Sequence, residues 1–356
     1  MVERSRIAVV GASARAAAFS LLRQGHAVVA ADLFADADLR RVCDVEQVTN
    51  YPHGLAEWLS RTKCDEWLYT GALENYPDLV DRMAALRPLR GSAGSMLRAV
   101  RDPLLLQIAL TSVGLNFPET HLCHGQPPGS GDWLHKTGQG ASGSGVSELD
   151  PSSLSTQGYW QRRVPGLSGS AMFLASDPSC SLLGITRQLV GETWTGARQF
   201  QYAGTLSPWR LPEAGVAELV RMGEFLMQEF KLSGPFGVDF IYDDSHVWPV
   251  EVNPRTSAAA EVVERVTSTH ACAGKAVLYA KRPLAISRDI SEGLLHRAGS
   301  IENPELADIP NTDTQIATGE PILTVLADGD CLAEVEENLR ERVARLESEL
   351  YVTMVL

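Results

Sequence analysis

Near residue 250 the chain carries oxygen ligands at a spacing that suits a divalent cation. In the run Val250–Arg255, the two-residue period of a strand would place Glu251 and Asn253 on one face. The two valines of the run, Val250 and Val252, would then point into a core. Because carboxylate and amide oxygens are ligands that magnesium prefers, the run predicts part of a magnesium site at the end of a strand.

A third oxygen ligand comes from the run Gly237–Ile241, which contains Asp239. The polar residues Asp243–His246 between the two runs predict a hairpin turn, which would return the chain beside Asp239. An edge strand with exposed acids is the alternative interpretation for each residue taken singly. The whole set, with Arg255 at its end, favours a site for magnesium and phosphate.

A lysine followed by a glycine-rich loop forms the second group. Lys136 ends an apolar run that begins at Trp133, and Thr137–Val146 holds four glycines in ten residues. Backbone N–H groups of such a loop can wrap phosphates because few side chains block the approach. The order differs from the P-loop motif, whose lysine follows the glycines. A flexible Gly/Ser linker is the alternative, but Lys136 and the ligand-bearing strand favour phosphate binding.

Composition limits the kinds of partner. A net charge of -13 over 356 residues argues against a nucleic-acid surface, which needs clustered Lys and Arg. The six cysteines include no Cys-x-x-Cys pair, which predicts neither a zinc site nor a disulfide framework. With no signal-peptide pattern and no apolar run of membrane length, we expect a cytoplasmic protein that binds no membrane.

The first thirty residues predict the start of a parallel sheet. The apolar runs Arg6–Val10 and Ala27–Asp32 flank a loop and an alanine-rich helix. Only Gly11 remains of the three glycines of a dinucleotide-binding fingerprint, so the NAD signal is weak. Asp32 would bind a ribose in that interpretation, but a helix cap or a turn explains it equally well.

Several further residues are candidates for substrate contacts. The strand-like run Trp67–Thr70 leads to Glu74 and Asn75, although Asn75 could instead cap a helix that begins near Pro77. Arg187 and Arg198 are candidate contacts for substrate or phosphate, or else surface residues.

Two helices are expected to frame the later part of the chain. Small residues at 91–95 predict a domain boundary, and one helix is expected from about Leu97 to Val113. A last helix, Leu332 to about Leu350, has an amphipathic face that we expect to pack on the same chain rather than to form a coiled coil.

The run around residue 250 resembles the ATP-grasp superfamily of ATP-dependent carboxylate ligases, whose strand end typically reads Glu-x-Asn-Pro-Arg with an acid about a dozen positions upstream. The resemblance implies that Asp239, Glu251 and Asn253 hold the magnesium ions of ATP, with manganese as an alternative metal. It also implies that Arg255 faces the reacting phosphate or carboxylate. The N-terminal pattern Gly-x-Ser-x-Arg at 11–15 is similar to a subgroup related to biotin carboxylase and predicted ATP-dependent carboligases.

The glycine-rich loop resembles the loop between two lid strands of these enzymes. The resemblance implies that Lys136 neutralises the α- and β-phosphates and is catalytic together with Arg255. It also assigns nucleotide contacts to Gly143, Ser144 and Gly145.

The segment Tyr159–Gly166 resembles the hinge that binds adenine, which assigns Gln161 and Val164 to the nucleotide. Relatives often have an acid and an aromatic residue where this chain has Arg162 and Arg163.

A second departure lies in the helix that opens the ATP-grasp domain. Relatives usually carry a lysine just after an aspartate, whereas this chain reads Arg101-Asp102-Pro103. Arg98 or Arg101 could compensate, since guanidinium groups also bind phosphate. We favour a structural role, because proline is common in the first turn of a helix.

The resemblance implies an α/β (α+β) fold with a Rossmann-like pre-ATP-grasp domain at 1–95 and an ATP-grasp domain at 96–356. Within the second domain we expect a lid at about 115–165 and a catalytic part at about 166–356.

The expected function is that of an ADP-forming, ATP-dependent ligase that joins a small-molecule carboxylate to an amine, or to a thiol, through an acyl phosphate. Biosynthesis of a one-carbon cofactor of the tetrahydromethanopterin or methanofuran type is a further expectation, as is a homodimer. The alternatives are an NAD(P)-dependent oxidoreductase that uses the Gly11 loop and a non-catalytic ATP-binding regulator.

Overall fold

The chain is organised around four β-sheets in the part that the structure describes. The computed structural model describes residues 5–124, 129–138, 140, 142–148, 157–268 and 270–352. Gln139 and Ala141 of the predicted phosphate loop therefore lie outside the described residues.

The first sheet is parallel and lies at the N-terminus. Its strands have the order β3-β2-β1-β4 and comprise β1 (Arg6–Gly11), β2 (Ala27–Asp32), β3 (Asp44–Gln47) and β4 (Glu66–Tyr69). Its flanking helices are α1 (Arg15–Arg23), α2 (Ala37–Arg40), α3 (Gly54–Arg61) and α4 (Pro77–Ala84). Buried apolar side chains on both faces of the sheet form its core, which is the arrangement of a Rossmann-like unit.

A small antiparallel sheet follows in the chain. It has the order β5-β8-β6-β7 and comprises β5 (Thr120–Leu122), β6 (Trp133–Lys136), β7 (Val146–Glu148) and β8 (Tyr159–Arg162). Lys136 thus ends one strand, and the glycine-rich loop connects it to the next, as the sequence predicted.

The largest sheet is antiparallel, with eight strands in the order β13-β12-β9-β10-β11-β14-β18-β16. Its strands are β9 (Leu167–Ser176), β10 (Ser179–Val190), β11 (Tyr202–Ser207), β12 (Gly234–Tyr242), β13 (Val247–Asn253), β14 (Cys272–Tyr279), β16 (Leu306–Ala307) and β18 (Pro321–Gly329). A two-stranded sheet pairs β15 (Leu284–Ala285) with β17 (Gln315–Ile316). The combination of helices with parallel and antiparallel sheets confirms the predicted fold class.

Six further helices follow the N-terminal sheet in the described part of the chain. They are α5 (Ser95–Val100), α6 (Pro103–Ser112), α7 (Glu213–Phe230), α8 (Ala260–Ser268), α9 (Arg288–His296) and α10 (Leu332–Val352). Of these, α7, α8 and α10 pack on the large sheet. The buried face of α10 consists of Val335, Leu339, Val343, Leu346 and Leu350, which pack on the same chain as predicted. No described helix is both long and apolar enough to cross a membrane.

The single helix predicted from Leu97 to Val113 is wrong. The chain forms α5 and α6 instead, with a break at Arg101 and Asp102. Asp102 is extended, and its carboxylate accepts the backbone N–H groups of Leu104 and Leu105, so it caps α6. Pro103 disfavours helical backbone in the residue before it, which explains the break.

The predicted hairpin is present, but the orientation predicted for Val250 is wrong. Asp239 pairs with Glu251, whereas the next residue, Phe240, pairs with Pro249, so Val250 is an extra residue in a β-bulge. Val250 consequently lines the neighbouring cleft, while Val252 is buried in the core as expected.

Candidate active site

A cleft of about 650 Å³ lies between the small antiparallel sheet and the large one. Eight of the ten predicted site residues line it: Lys136, Gly143, Gln161, Val164, Asp239, Glu251, Asn253 and Arg255. Gly145 lines an adjoining cavity of about 80 Å³ together with Lys136 and Glu251. Ser144 is exposed and lies outside both linings.

The three predicted metal ligands come together at the end of the β12–β13 hairpin. Asp239 and Glu251 are paired residues on neighbouring strands. The Asn253 amide donates to Asp239 Oδ2 at 3.0 Å, and Gln188 Nε2 donates to Oδ1 at 2.9 Å. Burial and the nearby Glu251 raise the pKa of Asp239 to about 6. Burial makes the larger contribution to this shift, and the charge of Glu251 adds to it.

An arginine that the sequence disfavoured as a ligand lies beside these carboxylates. Arg101, just after α5, forms an ion pair with Glu251 through Nη1 and donates from Nη2 to Asn75 Oδ1 at 3.1 Å. Arg98 points away from the cleft, where Asp78 and Asp81 pair with it at the surface.

Arg255 is held by a carboxylate from the N-terminal sheet region. Its Nε and Nη2 donate to the two oxygens of Glu74 at 2.9 and 2.6 Å, and Nη2 also donates to Asn253 Oδ1 at 3.1 Å. Burial raises the pKa of Glu74, but the Arg255 charge outweighs it, and the net pKa lies below the ordinary value. Glu74 thus remains ionised, and a bidentate pair fixes Arg255 in the cleft.

Asn75 does not cap the next helix, although that alternative was open. Glu74 and Asn75 lie in a 3-10 turn, and α4 begins at Pro77 with Tyr76 in the capping position. The Asn75 side chain accepts from Arg101. The turn therefore supports the two cleft arginines.

Lys136 reaches into the cleft from the small sheet. Its Nζ donates to Gln161 Oε1 at 2.6 Å, and Gln161 is itself buried and donates to Thr120 at 3.3 Å. Burial lowers the pKa of Lys136, and the charges of Glu251 and Asp239 offset part of this effect. A polar strand residue thus orients the lysine toward the carboxylates.

The glycine-rich loop contacts the large sheet across the cleft. Ser142 O accepts the backbone N–H of Tyr202 at 3.1 Å. Gly143 has φ +80°, and a Cβ atom there would lie 1.9 Å from the carbonyl oxygen of Phe200. Only glycine fits this close approach. Gly143 is therefore needed for the loop to lie over the cleft.

Two other candidates lie elsewhere. Arg187 forms an ion pair with Glu336 of α10 at 2.9 Å, and Arg198 lies exposed over Gly319. Neither side chain lines the cleft.

The first loop of the chain is explained by packing. The Asp32 carboxylate accepts backbone N–H groups of Ala14, Phe34 and Ala35, so it stabilises a turn and the start of α1. A Cβ atom at Gly11 would lie 2.0 Å from Thr70 Oγ1, which accounts for the glycine. These contacts favour the turn interpretation of Asp32 over ribose binding.

Sequence reasoning missed two cleft residues. Gln188 on β10 binds Asp239, and Tyr202 on β11 lines the cleft with a buried hydroxyl that has no hydrogen-bond partner among the described residues. A lone glutamine or tyrosine in a strand gives no local signal of such a position. For Arg101, by contrast, the departure from the expected lysine pattern was a usable signal.

Residues 100–259 match the ATP-grasp domain family. A stretch of 61 residues is 38% identical to the large chain of carbamoyl phosphate synthase from Hyperthermus butylicus, and 135 residues are 31% identical to an uncharacterized protein of Methanocaldococcus jannaschii. These stretches are 17% and 35% of this chain and only 6% and 33% of the two relatives.

Solved structures share the fold over nearly the whole chain. An ADP complex of N5-carboxyaminoimidazole ribonucleotide synthetase superposes with a TM-score of 0.71 at 12% identity and covers 99% of both chains. An L-amino acid ligase from Bacillus licheniformis gives a TM-score of 0.70 at 14% identity and covers 98% of both chains. Residues 100–259 of this chain therefore match an ATP-grasp domain, within a fold that these solved structures share.

Proposed function

We propose that this protein is an ADP-forming, ATP-dependent ligase that activates a small-molecule carboxylate as an acyl phosphate and joins it to an amine. One observation carries the proposal. The paired carboxylates Asp239 and Glu251, the cation Lys136 and the fixed guanidinium of Arg255 line a single cleft beneath the glycine-rich loop. These are the groups that phosphoryl transfer requires for charge neutralisation and positioning.

The donor set fits magnesium or manganese. Asp239, Glu251 and Asn253 offer hard oxygen atoms at one strand end. Burial and then the charge of Glu251 raise the pKa of Asp239, and a cation between the two carboxylates would stabilise both in their charged form. Among the described residues no group of three His, Cys, Asp or Glu side chains is placed to hold a metal. Magnesium commonly combines one or two carboxylates with substrate phosphates, so a sparse set supports a metal that arrives with a nucleotide.

The same cleft has groups suited to a nucleotide. Lys136 would contact phosphate oxygens, and backbone N–H groups near Gly143 and Gly145 would cover them. Gln161 orients Lys136, and Val164 lines the wall where the adenine edge would bind the backbone. We retain Ser144 as a nucleotide contact that would require the exposed end of the loop to move inward.

Bound magnesium-ATP would supply the phosphoryl group that activates the carboxylate. In the proposed reaction the carboxylate oxygen would attack the γ-phosphorus and ADP would leave. The amine nitrogen would then attack the carbonyl carbon, displace phosphate and lose its proton to solvent. Arg255, fixed by Glu74, orients the carboxylate and stabilises the charge that develops on it. No nucleophilic side chain is needed in this sequence.

Several finer statements belong to the same proposal. We assign residues 1–95 to a pre-ATP-grasp domain and 96–356 to the ATP-grasp domain, with a lid at about 115–165. The sequence suggested a homodimeric, cytoplasmic enzyme that acts on small molecules in the biosynthesis of a one-carbon cofactor. A thiol in place of the amine is the nearest alternative chemistry.

Release of ADP tests the proposal. Purified protein with magnesium-ATP is screened against pairs of carboxylates and amines, and ADP should form only when both partners are present. Asp239→Asn should abolish this turnover, whereas Asp243→Asn, in the exposed turn of the same hairpin, should retain it. Equal activity in the two variants, or loss of activity in both, would contradict the assignment of Asp239 as a metal ligand.

A further inference from the structure

The guanidinium of Arg255 has little capacity left for a substrate. Its Nε and Nη2 donate to Glu74, Nη2 also donates to Asn253, and Nη1 donates to the carbonyl oxygen of Thr256 at 3.1 Å. A guanidinium has five N–H groups, so these four hydrogen bonds leave one N–H for a ligand. Because a carboxylate presents two acceptor oxygens, Arg255 alone would hold only one of them. A second donor is needed to fix the carboxylate that the proposed reaction activates.

Tyr202 places an unpaired hydroxyl in the same cleft. Its side chain lines the cleft from β11, and its buried hydroxyl has no hydrogen-bond partner among the described residues. Ser170 also lines the cleft with such a hydroxyl, but it is paired with Asp239 in the β9–β12 ladder and so belongs to the metal end. A buried tyrosine hydroxyl normally has a hydrogen-bond partner, so we expect a ligand to supply the partner of Tyr202.

The surroundings of this hydroxyl keep it protonated. Burial raises the pKa of Tyr202 well above its ordinary value, and the neighbouring Tyr279 and the Asp239 carboxylate raise the pKa further. The carboxylates of Glu261 and Asp308 act in the same direction. The hydroxyl is therefore a hydrogen-bond donor rather than a base, and an acceptor oxygen is the group that suits it.

Tyr202 is also close to the proposed phosphate and metal sites. Its backbone N–H donates to Ser142 O of the glycine-rich loop at 3.1 Å, and its carbonyl oxygen accepts the Tyr279 hydroxyl at 2.7 Å. Asp239 lies within electrostatic range of both Tyr202 and Arg255, since its charge raises the pKa of each. A carboxylate in position to attack the γ-phosphate lies beside the loop and the metal, and therefore near both side chains.

We propose that the Tyr202 hydroxyl binds the substrate carboxylate together with Arg255, one group on each oxygen. This inference rests on the proposed function and adds a catalytic residue to it. The carboxylate oxygen that attacks phosphorus becomes the bridging oxygen of the acyl phosphate, and the oxygen held by Tyr202 becomes its carbonyl oxygen. Negative charge develops on that oxygen when the amine attacks, and a fixed hydroxyl beside it stabilises the charge.

The reverse half-reaction tests the proposal with a defined probe. An acyl phosphate and magnesium-ADP should form ATP and a carboxylate in the same cleft, so ATP formed from acetyl phosphate and magnesium-ADP is followed with luciferase. We expect Tyr202→Phe to lower kcat about tenfold, as for loss of one charge-assisted hydrogen bond to the departing carboxylate, while KM for magnesium-ADP is unchanged. Isothermal titration should give this variant the wild-type affinity for magnesium-AMPPNP.

Tyr242→Phe is the matched control. Tyr242 is also a buried tyrosine of the large sheet, but its ring packs against Trp209 and it lies outside the lining of the cleft. This variant should match the wild type in both measurements.

Wild-type kcat in Tyr202→Phe would overturn the inference. Weaker binding of magnesium-AMPPNP by this variant would overturn it too, because the hydroxyl would then act through the glycine-rich loop rather than on the carboxylate. If the wild type forms no ATP from acetyl phosphate, or does not bind magnesium-AMPPNP, the proposed function itself fails. The two failures are therefore distinguishable.

Discussion

Two clusters of buried charge connect the N-terminal sheet to the large antiparallel sheet. The Arg15 cluster consists of Arg15, Asp38, Glu261, Lys275 and Asp308. The cleft cluster consists of Glu74, Arg101, Lys136, Asp239, Glu251 and Arg255. Both hold arginine–carboxylate pairs between residues that are distant in sequence, so they can be compared directly.

All three nitrogen atoms of Arg15 are hydrogen-bonded. Its Nε donates to Asp308 at 3.0 Å, Nη1 pairs with Glu261, and Nη2 donates to both of these carboxylates. Lys275 adds a second cation at 3.1 Å from Glu261, and Thr324 donates to Asp308 at 2.6 Å. None of these residues lines the cleft. The N-terminal Gly-x-Ser-x-Arg pattern thus ends in an arginine with a structural role.

In the cleft cluster, by contrast, the charged groups have fewer hydrogen-bond partners. Arg101 Nε has no hydrogen-bond partner among the described residues, and the Glu251 side chain is 41% exposed. Buried charge alone therefore does not mark a functional site in this protein. The useful sign is a buried charge whose partners are missing on the side that faces a cavity.

The largest expected effect of a single substitution is on stability, at Arg15. Arg15→Met leaves Glu261 and Asp308 without their main cation, which should lower the free energy of unfolding by about 3–5 kcal/mol. The matched control is Arg23→Met, because Arg23 lies on the same helix and pairs with the partly exposed Glu264. This control should lose less than about 1 kcal/mol. Urea denaturation measures both, and equal losses would contradict the distinction between the clusters.

In the cleft cluster we expect a smaller effect on stability, and this effect should depend on pH. The pKa of Asp239 is about 6 in the folded chain, above its ordinary value, so its contribution to stability is lost as pH rises. Without metal or nucleotide, the unfolding free energy of the wild type relative to Asp239→Asn should fall by about 1 kcal/mol between about pH 5.5 and pH 7.5.

The Arg15 cluster provides the contrast for this pH experiment. Burial raises the pKa of Glu261, but Arg15 and Lys275 outweigh it and hold the pKa well below its ordinary value. The stability from Glu261 is therefore complete above its ordinary pKa and is lost only as the solution becomes more acidic. The difference between wild type and Glu261→Gln should stay constant over the range in which Asp239 titrates. If the difference in unfolding free energy between the wild type and Asp239→Asn did not change with pH, the raised pKa of Asp239 would be contradicted.

Local patterns predicted the elements that carry the site. Strand periodicity and turn residues were enough for the β12–β13 hairpin, and the position of Lys136 before four glycines predicted the loop. Both features depend on residues close together in sequence. The bulge at Val250 was missed because pairing with β12, rather than the alternation within β13, determines which way that residue faces.

The side-chain pairs of the site could not be predicted in the same way. Arg101 and Glu251 are 150 residues apart, and Glu74 and Arg255 are 181 apart. Such pairs depend on how the N-terminal sheet is placed against the large sheet. The resemblance to a family pointed to Asp239, Glu251, Asn253 and Lys136, whereas the ion pair of Arg101 with Glu251 is visible only in the fold.

The most direct test of the central claim is isothermal titration of the metal-free protein with magnesium-AMPPNP and, separately, with NADH. The account predicts that the wild type binds magnesium-AMPPNP and not NADH, and that Glu251→Gln weakens this binding about tenfold or more. Arg187→Gln, which disrupts an ion pair outside the cleft, should bind like the wild type. Binding of NADH in place of the nucleotide, or wild-type affinity in Glu251→Gln, would contradict the account.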